Sequence, residues 1–152
     1  MSPRPFDTRN GWELYWHPAF QEQFDALVAE VEHLFQTLRR IEYEKHPKVR
    51  FLARVRKIIL DDVPNDPASK SYEQGNTLGP ERRHWRRVKF NQRFRLFFRF
   101  HSKARIIVYA WMNDENTLRT RGARNDVYTM FEQKLKSGNP PDGWDDLLAA
   151  CR

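Results

Sequence analysis

The sequence has one cysteine, Cys151, standing next to the last residue. That excludes a disulfide framework and a thiolate zinc site, and it fits a reducing compartment. Long apolar runs are missing as well: no stretch approaches the roughly 18 residues of a membrane-spanning helix, and the opening MSPRPFDTRNGWELYW lacks the apolar segment of a signal peptide. The expectation is a soluble, cytoplasmic protein with no membrane partner. Glycine is sparse, and Gly11, Gly75, Gly79, Gly122, Gly138 and Gly143 build neither a phosphate loop nor a dinucleotide fingerprint. No serine stands in a nucleophile elbow. His17, His33, His46, His84 and His101 lie at least 13 residues apart, with no local carboxylate pattern, so the sequence calls for no metal and no cofactor. The adjacent acids at Asp61-Asp62, Asp114-Glu115 and Asp145-Asp146 fall at expected helix ends, where capping and dipole effects account for them. A metal-dependent nuclease is disfavoured.

What is present is a core and a charge. The 152 residues are one domain's length, and 39% apolar content with eleven Phe and five Trp supplies enough to bury. The net charge of +7 is unevenly distributed: positions 81–105 hold ten basic residues against Glu81, while the rest of the chain is slightly acidic. Concentrating one sign of charge costs self-repulsion, so the run points to a polyanion or an acidic protein partner. A solvated surface strand is the bland alternative.

Pro18, Phe20, Phe24, Leu27, Val28, Val31, Leu34, Phe35 and Leu38 recur at steps that predict an amphipathic helix from Pro18 to Leu38. A second helix is expected from Pro47 to Asp62, stopped by Pro64, making a helical hairpin. Residues 65–80 read as a connection with a short strand near Thr77-Leu78. The period then changes to 2: Phe94, Leu96, Phe98 and Phe100 alternate with Arg93, Arg95 and Arg99, interrupted only by Phe97. Residues 85–90 continue the pattern. A two-residue turn would mix the two faces, whereas a three-residue loop at Asn91, Gln92 and Arg93 pairs Phe90 with Phe94, Val88 with Leu96 and Lys89 with Arg95. Arg105 to Met112 is apolar on both parities, as in a central strand covered on both faces. A short helical turn capped by Asn113, Asp114 and Glu115, a helix capped by Asn125 or Asp126, and a last helix capped by Asp142 complete the reading. The fold class is α+β: an N-terminal helical hairpin, an antiparallel sheet of about four strands, and C-terminal helices, with the helices on one sheet face and residues 1–10 as a flexible tail.

The basic strands present Arg87, Lys89, Arg93, Arg95 and Arg99, with Trp85 on the same face. Guanidinium forks hold phosphates bidentately, and an aromatic among them offers a platform for an unpaired RNA base; core packing is the other use of Trp85. Such a face can cut RNA without a metal if a neutral base takes the ribose 2′-OH proton while cations stabilise the charge of the transition state. Lys89, ringed by arginines, is the candidate base, because neighbouring like charges disfavour its ammonium form.

WRRVKFNQRFRLFFRF and RIIVYAWMNDENTLRT, together with NGWELYWHPAFQEQFDALVAEVE near the start and Pro140, Pro141 and Trp144 near the end, resemble the YhaV-type toxins of the RelE/ParE superfamily. The resemblance implies the compact RelE-like toxin fold. It also implies an RNase of a bacterial type II toxin-antitoxin pair that acts on mRNA with the ribosome involved and is silenced by a PrlF-type antitoxin. Carried over residue by residue, it implies catalytic roles for Arg87, Lys89, Arg95, Tyr128 and Arg119, with Arg121 and Arg124 competing for the last position. Phe94 stands where the family has Tyr, and Tyr128 also sits at core spacing with Phe131 and Leu135. Trp85, Arg93, Arg99 and Asn113 are the expected RNA-binding set. Two rival functions remain: a toxin of the same fold blocking a protein target such as gyrase, and an RNA-binding module without catalysis.

Overall fold

The computed structural model describes residues 3–114 and 126–151. Two short strands open the chain, β1 (Asp7–Arg9) and β2 (Trp12–Trp16), and the long helix α1 (Pro18–Thr37) follows. Its first turn is pre-formed by Pro18 and capped by His17, whose Nδ1 accepts from the Ala19 amide at 3.0 Å. Next come α2 (Arg40–Lys45), α3 (Pro47–Lys57), a π turn (Ile58–Asp62) and the single turn α4 (Val63–Asn65). The strands β3 (Arg86–Phe90), β4 (Phe94–His101) and β5 (Ile106–Met112) precede α5 (Val127–Ser137) and α6 (Trp144–Ala149).

Among the described residues the strands form one mixed sheet of five in the order β1-β2-β5-β4-β3, with β2 parallel to β5 and the other neighbours antiparallel. The sheet is thus larger than the four antiparallel strands expected. The segment WELYW forms a strand ahead of the expected helix, and Asp7–Arg9, assigned to a flexible tail, pairs with it. Parallel pairing needs a long crossover, which everything from α1 to β4 supplies, and the His17 amide continues the ladder to the Tyr109 carbonyl at 2.9 Å.

Helices cover both sheet faces, not one. Phe20, Leu27 and Val31 of α1 with Leu52 and Val55 of α3 pack on Leu14, Val88, Leu96, Phe98 and Ile107. On the opposite face Val127, Phe131 and Leu135 of α5 with Leu147 of α6 pack on Trp85, Phe97, Val108 and Trp111. Each fully buried Phe or Leu here contributes about 1.5–3 kcal/mol. β5 lies between the two layers, which is why its apolar residues show no alternation.

Three local expectations change. The helix expected from Pro47 to Asp62 breaks into α3, the π turn and α4, and Pro64 sits in the first turn of α4, where its missing N–H costs no helical hydrogen bond. No strand forms at Thr77-Leu78. Leu78 is buried in a turn with its amide bonded to Gln74 Oε1 at 3.2 Å, and the bridge to the sheet edge runs between Glu73 and Arg86 instead. Gly143, not Asp142, occupies the cap position of α6. Asp126 caps α5, its Oδ1 accepting from the Tyr128 amide at 3.0 Å, as its place before an apolar stripe leads one to expect.

Candidate active site

The β3–β4 hairpin pairs Phe90 with Phe94, Lys89 with Arg95, Val88 with Leu96 and Arg87 with Phe97, which is the register that a three-residue loop demands. Asn91 and Gln92 carry positive φ values of 45° and 67° in that loop. Asparagine tolerates this conformation better than most residues. With this register Arg87, Lys89 and Arg95 emerge on the α5 side of the sheet, while Val88, Phe90 and Leu96 enter the core beneath α1 and α3.

Arg87 and Arg95 are nearly buried, at 7% and 8% exposure, and both meet Tyr128, which is 5% exposed. Arg87 Nε donates to the Tyr128 hydroxyl oxygen at 2.9 Å and Arg95 Nε donates to it at 3.3 Å. Their other hydrogen bonds among the described residues go to main-chain carbonyls: Arg87 to Ser71, and Arg95 to Gln92 and Phe94, all at 2.9 Å. Among the described residues neither is ion-paired with a carboxylate. Burying a cation without an anion is costly, so such an arrangement persists only where packing and neutral oxygens over-determine it. Lys89 stands exposed opposite Arg95 at the edge of this cluster, and Arg93 is exposed in the turn.

Other expected residues take different places. Trp85 is fully buried, so it offers no platform to a base: its ring packs edge-on against Phe131 at 4.9 Å and its Nε1 donates to Asp142 Oδ1 at 2.7 Å. Asn113 is buried rather than presented to a ligand. Its Oδ1 accepts from the Arg95 amide at 2.8 Å and its Nδ2 donates to the Arg93 carbonyl at 3.1 Å, so it positions the start of β4. Arg99 lies between the rings of Trp85 and Trp144, at 5.7 and 5.4 Å, and bonds the Asp142 carbonyl at 2.5 Å. Arg119, Arg121 and Arg124, with the helical turn expected around them, lie outside the described residues.

Asp142 organises this second arginine group. It accepts from Trp85 and from His84 Nε2 at 3.1 Å, and its other oxygen is 3.9 Å from Arg82 Nε. Desolvation pushes the Asp142 carboxyl up, but the hydrogen bonds from Trp85 and His84, together with the nearby cationic groups, outweigh it and hold the carboxyl below its ordinary value. Burial and the Arg99 charge lower His84 against the opposing pull of Asp142. Sequence reading gave Asp142 only a capping role and missed the three carbonyl acceptors, because neither a long-range carboxylate contact nor a main-chain oxygen leaves a local pattern.

Residues 14–152 match the YhaV toxin family, described as "Toxin with endonuclease activity, of toxin-antitoxin system". The chain is 46% identical over 140 residues to the ribonuclease toxin YhaV of Escherichia coli strain K12, covering 91% of this chain and 90% of that protein. Identity and coverage are the same for the toxin YhaV of Escherichia coli O6:H1. No solved structure matches the chain. A family match over nearly the whole chain and close relatives along almost all of its length lead to one conclusion: the protein belongs to the YhaV family of toxins with endonuclease activity in toxin-antitoxin systems.

Proposed function

We propose that this endonuclease is a metal-independent ribonuclease that cuts mRNA through attack of a ribose 2′-OH on the adjacent phosphate. The observation that carries the reading is the pair of buried guanidiniums, Arg87 and Arg95, joined through the Tyr128 oxygen and, among the described residues, paired with no carboxylate. A phosphate passing to a pentacoordinate transition state gains negative charge, and cations fixed beforehand stabilise that charge without reorganising. Lys89 takes the 2′-OH proton as its neutral amine. The 2′-oxygen bonds to phosphorus, the bond to the 5′-oxygen breaks, and that oxygen takes a proton from water and leaves as a hydroxyl, while the resulting hydroxide takes the proton from the Lys89 ammonium and restores the amine. The products are a 2′,3′-cyclic phosphate and a 5′-OH. Tyr128 holds the two arginines in place, and Arg93 in the turn meets a neighbouring phosphate.

The curated relative called a ribonuclease toxin supports RNA as substrate. The same reading places the protein in the RelE/ParE superfamily and the cytoplasm, with the ribosome as the setting of cleavage and a PrlF-type antitoxin as its inhibitor. An acidic or extended antitoxin segment laid over the 85–99 hairpin would bring carboxylates to arginines that pair with none among the described residues. Incubating the purified protein with RNA in EDTA tests the chemistry. Cyclic-phosphate and 5′-OH ends are expected; RNA left intact in EDTA but cut with added divalent metal, or cut to 5′-phosphate ends, would overturn it.

A further inference from the structure

The catalytic cluster lies at the open edge of the sheet, since β3 is the last strand. Along that edge runs a short strap whose 3₁₀ turn, Lys70–Tyr72, is pinned twice: by the Glu73–Arg86 bridge, and by Arg87, which donates to the Ser71 carbonyl. Between the strap, β3 and the α3–α4 region opens a cavity of about 600 Å³ lined by Arg54, Asp62, Asn65, Tyr72, Val88 and Lys89. We infer that this cavity is the subsite for an unpaired nucleobase next to the scissile phosphate, with Asn65 reading the edge of the base and Tyr72 packing against its ring. The inference rests on RNA being the substrate and adds what selects the cleavage site.

Location is the first argument. Lys89 belongs both to the cavity wall and to the cluster where the phosphate sits, and Arg87 ties the cavity's strap to that cluster. A strand of RNA that crosses the edge of β3 therefore presents its phosphate on the α5 side and has a flanking base within reach of the cavity. Lining chemistry is the second. Asp62 is already engaged by Arg54 at 2.9 Å and Lys57 at 3.2 Å, so its charge is matched and does not repel an anionic ligand. Asn65 is exposed at the end of α4, and its amide offers one acceptor and two donors to a base edge. Tyr72 is half-buried with its ring edge-on to Phe98 at 5.5 Å, which fixes the plane on which a base can pack. Desolvation, with Asp62 and Asp66 nearby, raises the Tyr72 phenol, so its hydroxyl stays a donor. Specific RNA recognition uses this pairing of an aromatic side chain with hydrogen bonds to the edge of an unstacked base. A cavity of this size also falls in the range of small-ligand sites.

The test compares wild type with Asn65→Ala, Asn65→Asp and Tyr72→Phe on one long RNA, mapping every cleavage site by its ends. The quantity read is the ratio of cutting at preferred to disfavoured bases beside the bond, which a general loss of rate does not move. Asn65→Ala is expected to lower that ratio about 5- to 10-fold, as for one lost hydrogen bond, and Asn65→Asp to change which base is preferred because the donor is gone. Tyr72→Phe is expected to lower it about 3-fold. A wild type without base preference, or three variants that keep the wild-type distribution, overturns the subsite while leaving the nuclease reading intact. A second readout needs no turnover: binding of short A, C, G and U homo-oligomers to Lys89→Ala protein, with and without Asn65→Ala. The difference between best and worst oligomer is expected to shrink with Asn65→Ala, and an unchanged difference overturns the proposal even if the protein cuts no RNA.

Discussion

Arg87 and Arg95 towards the turn of the β3–β4 hairpin, and Arg82 and Arg99 towards its open end, come from the same basic run, yet they meet different oxygens. Among the described residues the first pair ends on a phenol and on main-chain carbonyls, all neutral. The second gathers around the Asp142 carboxylate and carbonyl, with Trp85 and His84 bonded to the same carboxylate. A cation matched by a fixed anion is part of the scaffold, whereas a buried cation left unmatched has charge to offer a substrate. Net charge alone does not separate the two. The partner does.

Substitutions can break this comparison from either side. The largest effect is expected at the turn end: Lys89→Ala lowers single-turnover cleavage by about 10²–10⁴ at saturating enzyme, the usual worth of a positioned acid-base group, while RNA affinity changes by one phosphate contact at most. Cleavage within threefold of wild type would remove Lys89 as the base and leave the electrostatics of Arg87 and Arg95 standing. At the other end the expected effect falls on stability. Asp142→Ala strands the buried Trp85 Nε1 and should cost about 1–3 kcal/mol in denaturant unfolding, with cleavage per folded molecule nearly unchanged.

These two ends were not equally readable from the sequence. The hairpin register followed from parity alone, because only a three-residue loop puts Phe90 opposite Phe94 and keeps the arginines together. The same parity brings Arg87, Lys89 and Arg95 to one face. It could not show that Arg87 and Arg95 are buried, since that depends on α5 and the strap at Lys70–Tyr72 closing over them from distant parts of the chain. Trp85 failed as a platform for the same reason: Phe131 and Asp142 cover it, 46 and 57 residues away. β2 escaped notice although Trp12 and Leu14 alternate with Glu13 and Tyr15, because a strand that pairs in parallel with a partner some 90 residues on has no turn beside it to announce it.

A smaller effect sharpens the contrast through pH. His84 sits below its ordinary value of 6.5, so the unfolded chain takes up that proton first. Its contribution to stability is complete above about 6.5 and is lost as pH falls towards the folded-state value. Asp142 acts with the same sign at lower pH, its contribution fading below the ordinary carboxylate value of 3.8. Unfolding followed between pH 7 and pH 5 should therefore show declining stability in the wild type and a flatter profile in His84→Gln. An identical profile in the two proteins would separate His84 from the Asp142 cluster.

The central claim is that unmatched arginines act on the substrate and matched ones hold the fold. It is tested most directly by measuring single-turnover RNA cleavage and thermal unfolding side by side on Arg95→Lys and Arg99→Lys, which both keep a positive charge. A lysine cannot reproduce the guanidinium fork, so Arg95→Lys is expected to lose at least tenfold in cleavage. Arg99→Lys should keep cleavage within threefold and lose melting temperature through its contacts with Trp85, Trp144 and the Asp142 carbonyl. The reverse pattern, with cleavage lost at Arg99 and preserved at Arg95, would contradict the account.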